Sequence, residues 1–299
     1  MSSFKNVMLI GASGNLGDPV LKEFRKSQYK VSVLARKESK STYPEGVPVF
    51  NADYTDMNSL KAAMESQDVV ICMVNPAAVS EQQILIDAAI AAGVKRYFPG
   101  EFGPYTRNEK FAEVNPYVLP VKTKVADYLL SKESQISWTG VVTGGFFDWG
   151  IETGFFGFDL ASKTAALIDG GTSVFTSTTL PTIAKAVVAA LDHAEETKNQ
   201  YVFVSSFNLS QKNILEVIER VDGQKWSVEH LTFEEVVANG HKWIASGDFN
   251  GIKDLTRAAA FGKFALGDES SHGFWNDRLG LPKENVEEAV REIISGGKA

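Results

Sequence analysis

The sequence predicts an α/β chain: a doubly wound parallel sheet with a smaller, less regular lobe. Two observations carry that expectation. Over residues 7–142 short apolar runs alternate with amphipathic stretches, the pattern of parallel strands joined by helices. The first apolar run also leads straight into a glycine-spaced turn, Gly11-Ala12-Ser13-Gly14-Asn15-Leu16-Gly17, that opens the first helix. At 299 residues, 44% of them hydrophobic, the chain can bury a large core.

Taken in order, residues 7–10 read as the first strand, 16–27 as a helix, 31–35 as the second strand and 47–51 as the third. Asp56 is placed to cap a helix through Leu60 and Met64, and the fully apolar run 69–74 suits a strand buried on both faces. A helix over 81–92 ends at Gly93, a C-cap, before a fifth strand at 95–98. After a loop at 99–116, Pro120 opens a helix to about Ser134, and 136–142 is the sixth strand. Beyond it the alternation weakens. Gly170-Gly171 reads as a hairpin turn between strands 165–168 and 174–176. Helices are expected at 181–194, 214–221, 233–239 and 286–294, with a strand at 201–204. The expected division is a Rossmann domain over 1–150 and, over 151–299, a substrate-binding lobe partly interleaved with it.

The net charge of -7 argues against nucleic acid or an anionic membrane as partner, since such binders concentrate Lys and Arg. No apolar run approaches the ~20 residues needed to span a bilayer, and the first strand begins too early to leave room for a secretory signal. A soluble, cytoplasmic chain is expected, monomer or homodimer. Cys72, the only cysteine, falls in an apolar strand and reads as a buried, inert thiol. His193, His230, His241 and His272 are scattered without ligand spacing, so no metal is expected, and no G-x-S-x-G elbow is present.

The glycine turn carries specific chemistry. A helix N-terminus offers unpaired N–H groups and a positive dipole end to a pyrophosphate, provided no side chain blocks approach. Gly11 makes the tight turn, Gly14 lets the backbone approach phosphate, and Gly17 lets helix and strand pack closely, with Ser13, Asn15 and Leu16 completing the cradle. The end of the second strand selects the cofactor. An acidic residue there accepts from a ribose 2′-hydroxyl, whereas a basic one accommodates a 2′-phosphate. Here Arg36 holds the place, followed by Lys37, Glu38 and Lys40, so NADPH/NADP+ is the expected cofactor, with Arg36 and Lys40 in its site. The competing reading is a solvated loop of mixed charge.

The residues 11–17, Arg36, the run Val94-Lys95-Arg96-Tyr97-Phe98-Pro99-Gly100-Glu101-Phe102-Gly103, and the segment from Val121-Lys122-Thr123-Lys124 to Gly144-Gly145-Phe146-Phe147 resemble the NmrA-like atypical short-chain dehydrogenases. Within these, the likeness is to the isoflavone reductase-like, phenylcoumaran benzylic ether reductase-like branch. It covers the first half well and the remainder in outline. The resemblance implies an NADPH-dependent reductase that passes hydride to a small aromatic or conjugated acceptor. It places the catalytic lysine at Lys122, at the start of the helix after the loop; Lys124 is the nearest rival, and two residues apart on a helix only one faces the cleft. It also puts Phe146 and Phe147 beside the nicotinamide. The expected cofactor set includes Asn75, Lys122 and Phe146, and the expected substrate set is Glu101, Phe102, Phe146, Phe147 and Trp149, with Phe155, Phe156 and Phe158 nearby. Thr143-Gly144-Gly145-Phe146 departs from the Asn-x-x-Phe-like stretch of the family.

A literal Tyr-x-x-x-Lys occurs at Tyr128–Lys132, but Lys132 falls at the helix C-terminus, where the dipole explains a cation. Val118 stands four residues before Lys122, and Tyr117 is one position off. A non-catalytic NADP(H)-sensing regulator of the NmrA type is therefore the alternative. A sugar-nucleotide epimerase fits worst, for want of a well-placed Tyr-x-x-x-Lys.

Overall fold

The computed structural model describes residues 4–74 and 82–296. Its first half runs β1 (Asn6–Ile10), α1 (Gly17–Phe24), β2 (Lys30–Arg36), β3 (Val49–Ala52), α2 (Met57–Met64), β4 (Val69–Cys72), α3 (Gln82–Ala91), β5 (Arg96–Phe98), α4 (Glu109–Val114), α5 (Leu119–Leu130) and β6 (Ser137–Val142). The local signals act as read: the Asp56 carboxylate accepts from Asn58 N at the start of α2, Pro120 lies in the first turn of α5, and Gly93 takes φ 81° after α3.

The second half continues β7 (Gly145–Phe146), α6 (Phe147–Glu152), β8 (Phe158–Asp159), β9 (Thr164–Ile168), β10 (Val174–Thr178), α7 (Leu180–Asp192), β11 (Gln200–Phe203), β12 (Phe207–Ser210), α8 (Gln211–Asp222), β13 (Ser227–Leu231), α9 (Phe233–Ala245), α10 (Gly251–Phe261) and α11 (Val286–Ile294). Seven strands form one parallel sheet in the order β11-β6-β5-β4-β1-β2-β3, so the chain is an α/β protein of Rossmann type. Strand order reverses between β1 and β4, and in such sheets the crevice beyond the carboxyl ends at that reversal is where ligands bind. β4 has no exposed residue, which is why its sequence is apolar without alternation. β11 and α7, from the second half, return to this layer: β11 pairs with β6, while Ile183 and Val187 of α7 share a core with Val20 and Phe24 of α1.

Two small sheets, β12-β10-β7 and β13-β9-β8, build the lobe. They overturn the expected hairpin. The edges of β9 are taken by β8 and β13, so β10 pairs instead with β12 and β7. Gly170 and Gly171, at φ 76° and 66°, redirect the chain from one sheet to the other. Asp169 fixes this corner by accepting from Phe233 N at 3.0 Å and Lys263 N at 2.8 Å. Helix α9 runs six residues past the expected end at Asn239, and α4 and α10 were not foreseen. Among the described residues, no helix is long and apolar enough to cross a membrane.

Candidate active site

A cavity of about 910 Å³ lies over the carboxyl ends of β1, β2 and β4, where Ile10, Leu34 and Met73 form part of its wall. The glycine turn makes one side. Gly11 has φ 82°, and a Cβ there would fall 2.6 Å from Met73 O; a Cβ on Gly17 would fall 2.1 Å from Gly11 O. Gly14 N donates to Gly11 O at 3.1 Å and closes the turn. Gly11, Ser13, Gly14, Asn15 and Leu16 line the cavity, while Gly17 is buried beneath it and acts by letting α1 approach β1. Leu16, at the N-cap of α1, supplies no side-chain capping bond, so the first N–H groups of the helix are not met by a cap of its own.

Arg36 ends β2 at the cavity, its guanidinium 5.4 Å from the Tyr54 ring centroid. Ser39 N bonds back to Arg36 O at 2.9 Å, which brings Glu38 and Ser39 to the wall. The same turn carries the exposed Lys40 past the lining, contrary to its expected place in the site. Ser41 Oγ donates to Ser13 Oγ at 3.1 Å, tying this loop to the glycine turn. Asn75 lies outside the described residues.

At the other end, Lys122, Gly100, Phe102, Phe146 and Trp149 share the same cavity. Lys122 is 8% exposed and its Nζ lies 3.4 Å from Phe102 O, whereas Lys124 points to solvent. The helix thus chooses between the two lysines. Glu101 does not line the cavity; it sits behind it, 2% exposed, accepting from Thr106 Oγ1 at 2.6 Å. Burial pushes the Glu101 carboxyl above its ordinary value, against the opposing pull of Lys122, Thr106 and Arg107. Burial likewise lowers the Lys122 ammonium, against the pull of Glu101. A buried lysine with a depressed pKa gives up its proton more readily than a surface one.

Phe147 is a correction. It is fully buried, its ring 4.6 Å from that of Phe207, and it lines no part of the cavity. Phe146 closes the two-residue β7 and Phe147 begins α6, so the neighbours turn to opposite sides. Phe156 and Phe158 are core residues too. Tyr128 donates to Asp87 at 2.5 Å and carries Lys132 Nζ 5.0 Å from its ring centroid, with neither residue on the cavity wall. Tyr117 is 40% exposed. Tyr43, Tyr54, Met73 and Val74 line the cavity without having been anticipated. The usable signal for Tyr54, Met73 and Val74 was their place just past the carboxyl ends of β3 and β4.

Behind the loop after β5, Glu269 accepts from Tyr105 N at 2.8 Å, and burial pushes its carboxyl up to about 7. With the folded pKa above the unfolded one, the native chain keeps a proton that the unfolded chain releases. Stability therefore falls as pH rises from about 4.5 to about 7, by on the order of 3 kcal/mol in all. Glu269→Gln is expected to flatten the decline of Tm between about pH 5 and 8 in thermal melts; an unchanged slope would mean the carboxyl is ionised throughout. Among the described residues no group of His, Cys, Asp and Glu is assembled to hold a metal ion.

A parallel sheet reversing at a glycine turn, with a buried lysine across the crevice, defines an α/β protein of the Rossmann class. The NmrA-like family profile matches residues 3–279, and the chain belongs to that family. It is 34% identical to oxidoreductase aprR of Aspergillus flavus over 97% of this chain and 99% of that one. The maize isoflavone reductase homolog IRL is 28% identical, over 79% of this chain and 81% of its own length. By this kinship the chain is an enzyme of the oxidoreductase class. In fold it is similar to leucoanthocyanidin reductase from Vitis vinifera, solved as a binary complex with NADPH, at TM-score 0.81 and 18% identity over 97% of this chain and 99% of that one.

Proposed function

We propose that the chain is an NADPH-dependent reductase that transfers hydride to a small aromatic or conjugated acceptor. The observation that carries this reading is one cavity bounded at one end by Arg36 and the glycine turn and at the other by a buried Lys122 with Phe102, Phe146 and Trp149. The residues fit a dinucleotide. At Gly14 a Cβ would meet only Gly11 O, at 3.3 Å, so the bare, exposed backbone there leaves room for a pyrophosphate that a side chain would occupy. Ser13, Gly14, Asn15 and Leu16 would hold the phosphates, and Arg36 the 2′-phosphate.

Bound NADPH supplies the hydride. Lys122 delivers a proton to the acceptor, or polarises it, from within hydrogen-bond reach. The acceptor gains one hydride and one proton, NADP+ is the other product, and no further redox partner is needed. Glu101, buried beside Lys122, favours the charged ammonium and so opposes part of the loss of charge that burial imposes on it. Phe146 and Trp149 present flat apolar surface to a conjugated acceptor and keep water from the transfer.

The test is a parallel titration with NADPH and NADH, repeated with Arg36→Ala. The native chain is expected to prefer NADPH by about 10- to 100-fold, the worth of one or two charge-assisted bonds to phosphate, and the variant to lose that preference. Equal affinities in the native chain would refute the assignment of Arg36. Binding without NADPH oxidation across a panel of conjugated acceptors would assign a sensing role instead.

A further inference from the structure

A second cavity, of about 410 Å³, adjoins the first, and Trp149 lines both. Its remaining wall comes from residues 153–155 after α6, from Trp243 on α9, from Asp248 and Asn250 between the helices, and from Lys253, Asp254 and Arg257 on α10. The two helices meet at Gly240 and Gly251, where a Cβ on Gly251 would fall 2.2 Å from Gly240 O. That backbone contact holds α10, and with it Arg257, in place.

Arg257 is the group at this wall whose chemistry is least satisfied. Its side chain is 17% exposed. A guanidinium carries five N–H donors in a rigid fork. Among the described residues its one hydrogen bond runs from Nη1 to Asp254 Oδ1 at 3.4 Å; its Nε, shut off from solvent, has no partner, and no hydrogen bond from Nη2 is formed. Asp254 lies three residues earlier on the same helix, and a contact of that length and spacing contributes a few tenths of a kcal/mol at most. A guanidinium drawn out of water needs oxygen acceptors to offset its lost hydration, and here the protein supplies little. Gly157 leaves the space it occupies: a Cβ there would come within 3.3 Å of Nη2.

The charged side chains of the lining sum to no net charge. Lys253 and Arg257 balance Asp248 and Asp254 in the lining, and Asp248 is already engaged by Asn250 N at 2.8 Å. Glu229 adds a more distant negative charge. The acceptor that matches a planar, under-engaged fork is a carboxylate, with two oxygens in one plane. Trp149 and Trp243 offer aromatic surface beside it.

Building on the reductase reading, we propose that the acceptor is an aromatic or conjugated carboxylic acid whose carboxylate seats on Arg257 while its conjugated part lies against Trp149. This makes Arg257 a determinant of substrate choice, separate from the cofactor cradle and from Lys122.

The experiment is a calorimetric titration of the NADP+-saturated chain with cinnamate and, in parallel, with methyl cinnamate, which keeps the ring and conjugation but removes the charge. Cinnamate is expected to bind at least 10-fold more tightly than the ester. Arg257→Met is expected to abolish that difference with ester and NADP+ affinities unchanged, and Arg257→Lys to restore part of it. Equal affinities for acid and ester in the native chain, or no binding of cinnamate at all, overturn the proposal, and so does a loss in Arg257→Met shared equally by both compounds. The native-chain comparison stands even if the variants fold poorly. Since no turnover is read, its failure is distinct from failure of the reductase reading, which fails only when no acceptor oxidises NADPH.

Discussion

Lys122→Met is expected to slow NADPH oxidation by about 10²- to 10⁴-fold, the usual worth of a positioned general acid, while NADPH affinity stays within a few-fold. Methionine fills the same buried channel without a proton to give, so the substitution tests chemistry rather than packing. The native pH profile should show the same origin. A lysine acting as acid must be charged, and burial lowers its pKa, so activity is lost as pH rises through a value below the lysine norm of ~10.4. That alkaline limb should vanish in Lys122→Met, measured as the single-turnover rate with the acceptor at saturation. A variant with native kcat and an intact limb would reduce Lys122 to a structural residue and move the search for the proton donor elsewhere. The same result would remove the reason for Glu101 to be buried beside it.

The choice of Lys122 over Lys124 shows what sequence can and cannot supply. The helix and its register were legible because Pro120 marks the start and the apolar positions Val125, Ala126 and Leu129 set the buried face. Helical geometry then gave only that one of the two lysines can face the cleft; the family likeness named Lys122, and the structure buries it while Lys124 stays exposed. The glycine turn and Arg36 were legible for a similar reason: their meaning depends on a few residues next to one strand end. Phe147 was not, since a pair of adjacent phenylalanines carries no signal for which one turns inward, and the two-residue β7 that decides it is set by pairing with β10. The hairpin expected at Gly170-Gly171 failed on partner choice. Two neighbouring strands with a glycine turn between them ordinarily pair, but β8, just before β9, already holds one of its edges and β13, distant in sequence, holds the other. Arg257 and its cavity lay in a stretch where no periodicity was read, and α10 divides its buried residues between two cores, Ala258 and Phe261 against the small sheets and Ala259 against Phe111 and Leu119.

Gly17→Ala is expected to destabilise the chain by about 3 kcal/mol and to abolish NADPH binding. The added methyl would meet Gly11 O at 2.1 Å, Ala12 Cα at 2.6 Å and Ala12 C at 2.7 Å. All three are backbone atoms of the turn, so no side chain can rotate to relieve the contact. Relief requires α1 to lift from β1, and α1 brings Val20, Leu21 and Phe24, each at most 1% exposed, into the main core. The fall in Tm, read by differential scanning calorimetry, should be roughly 5–10 °C for a chain of this size. Gly14→Ala supplies the contrast. Its methyl would meet only Gly11 O, at 3.3 Å, and would otherwise project from an exposed position at the cavity edge. That variant should melt close to the native temperature yet bind NADPH at least 10-fold more weakly, because the methyl stands where a phosphate must approach the backbone. If Gly17→Ala melts like the native chain, helix α1 is free to shift, and the close approach of helix to strand does not hold the cradle. If Gly14→Ala binds NADPH unchanged, the pyrophosphate does not lie on this turn and the cofactor placement fails with it.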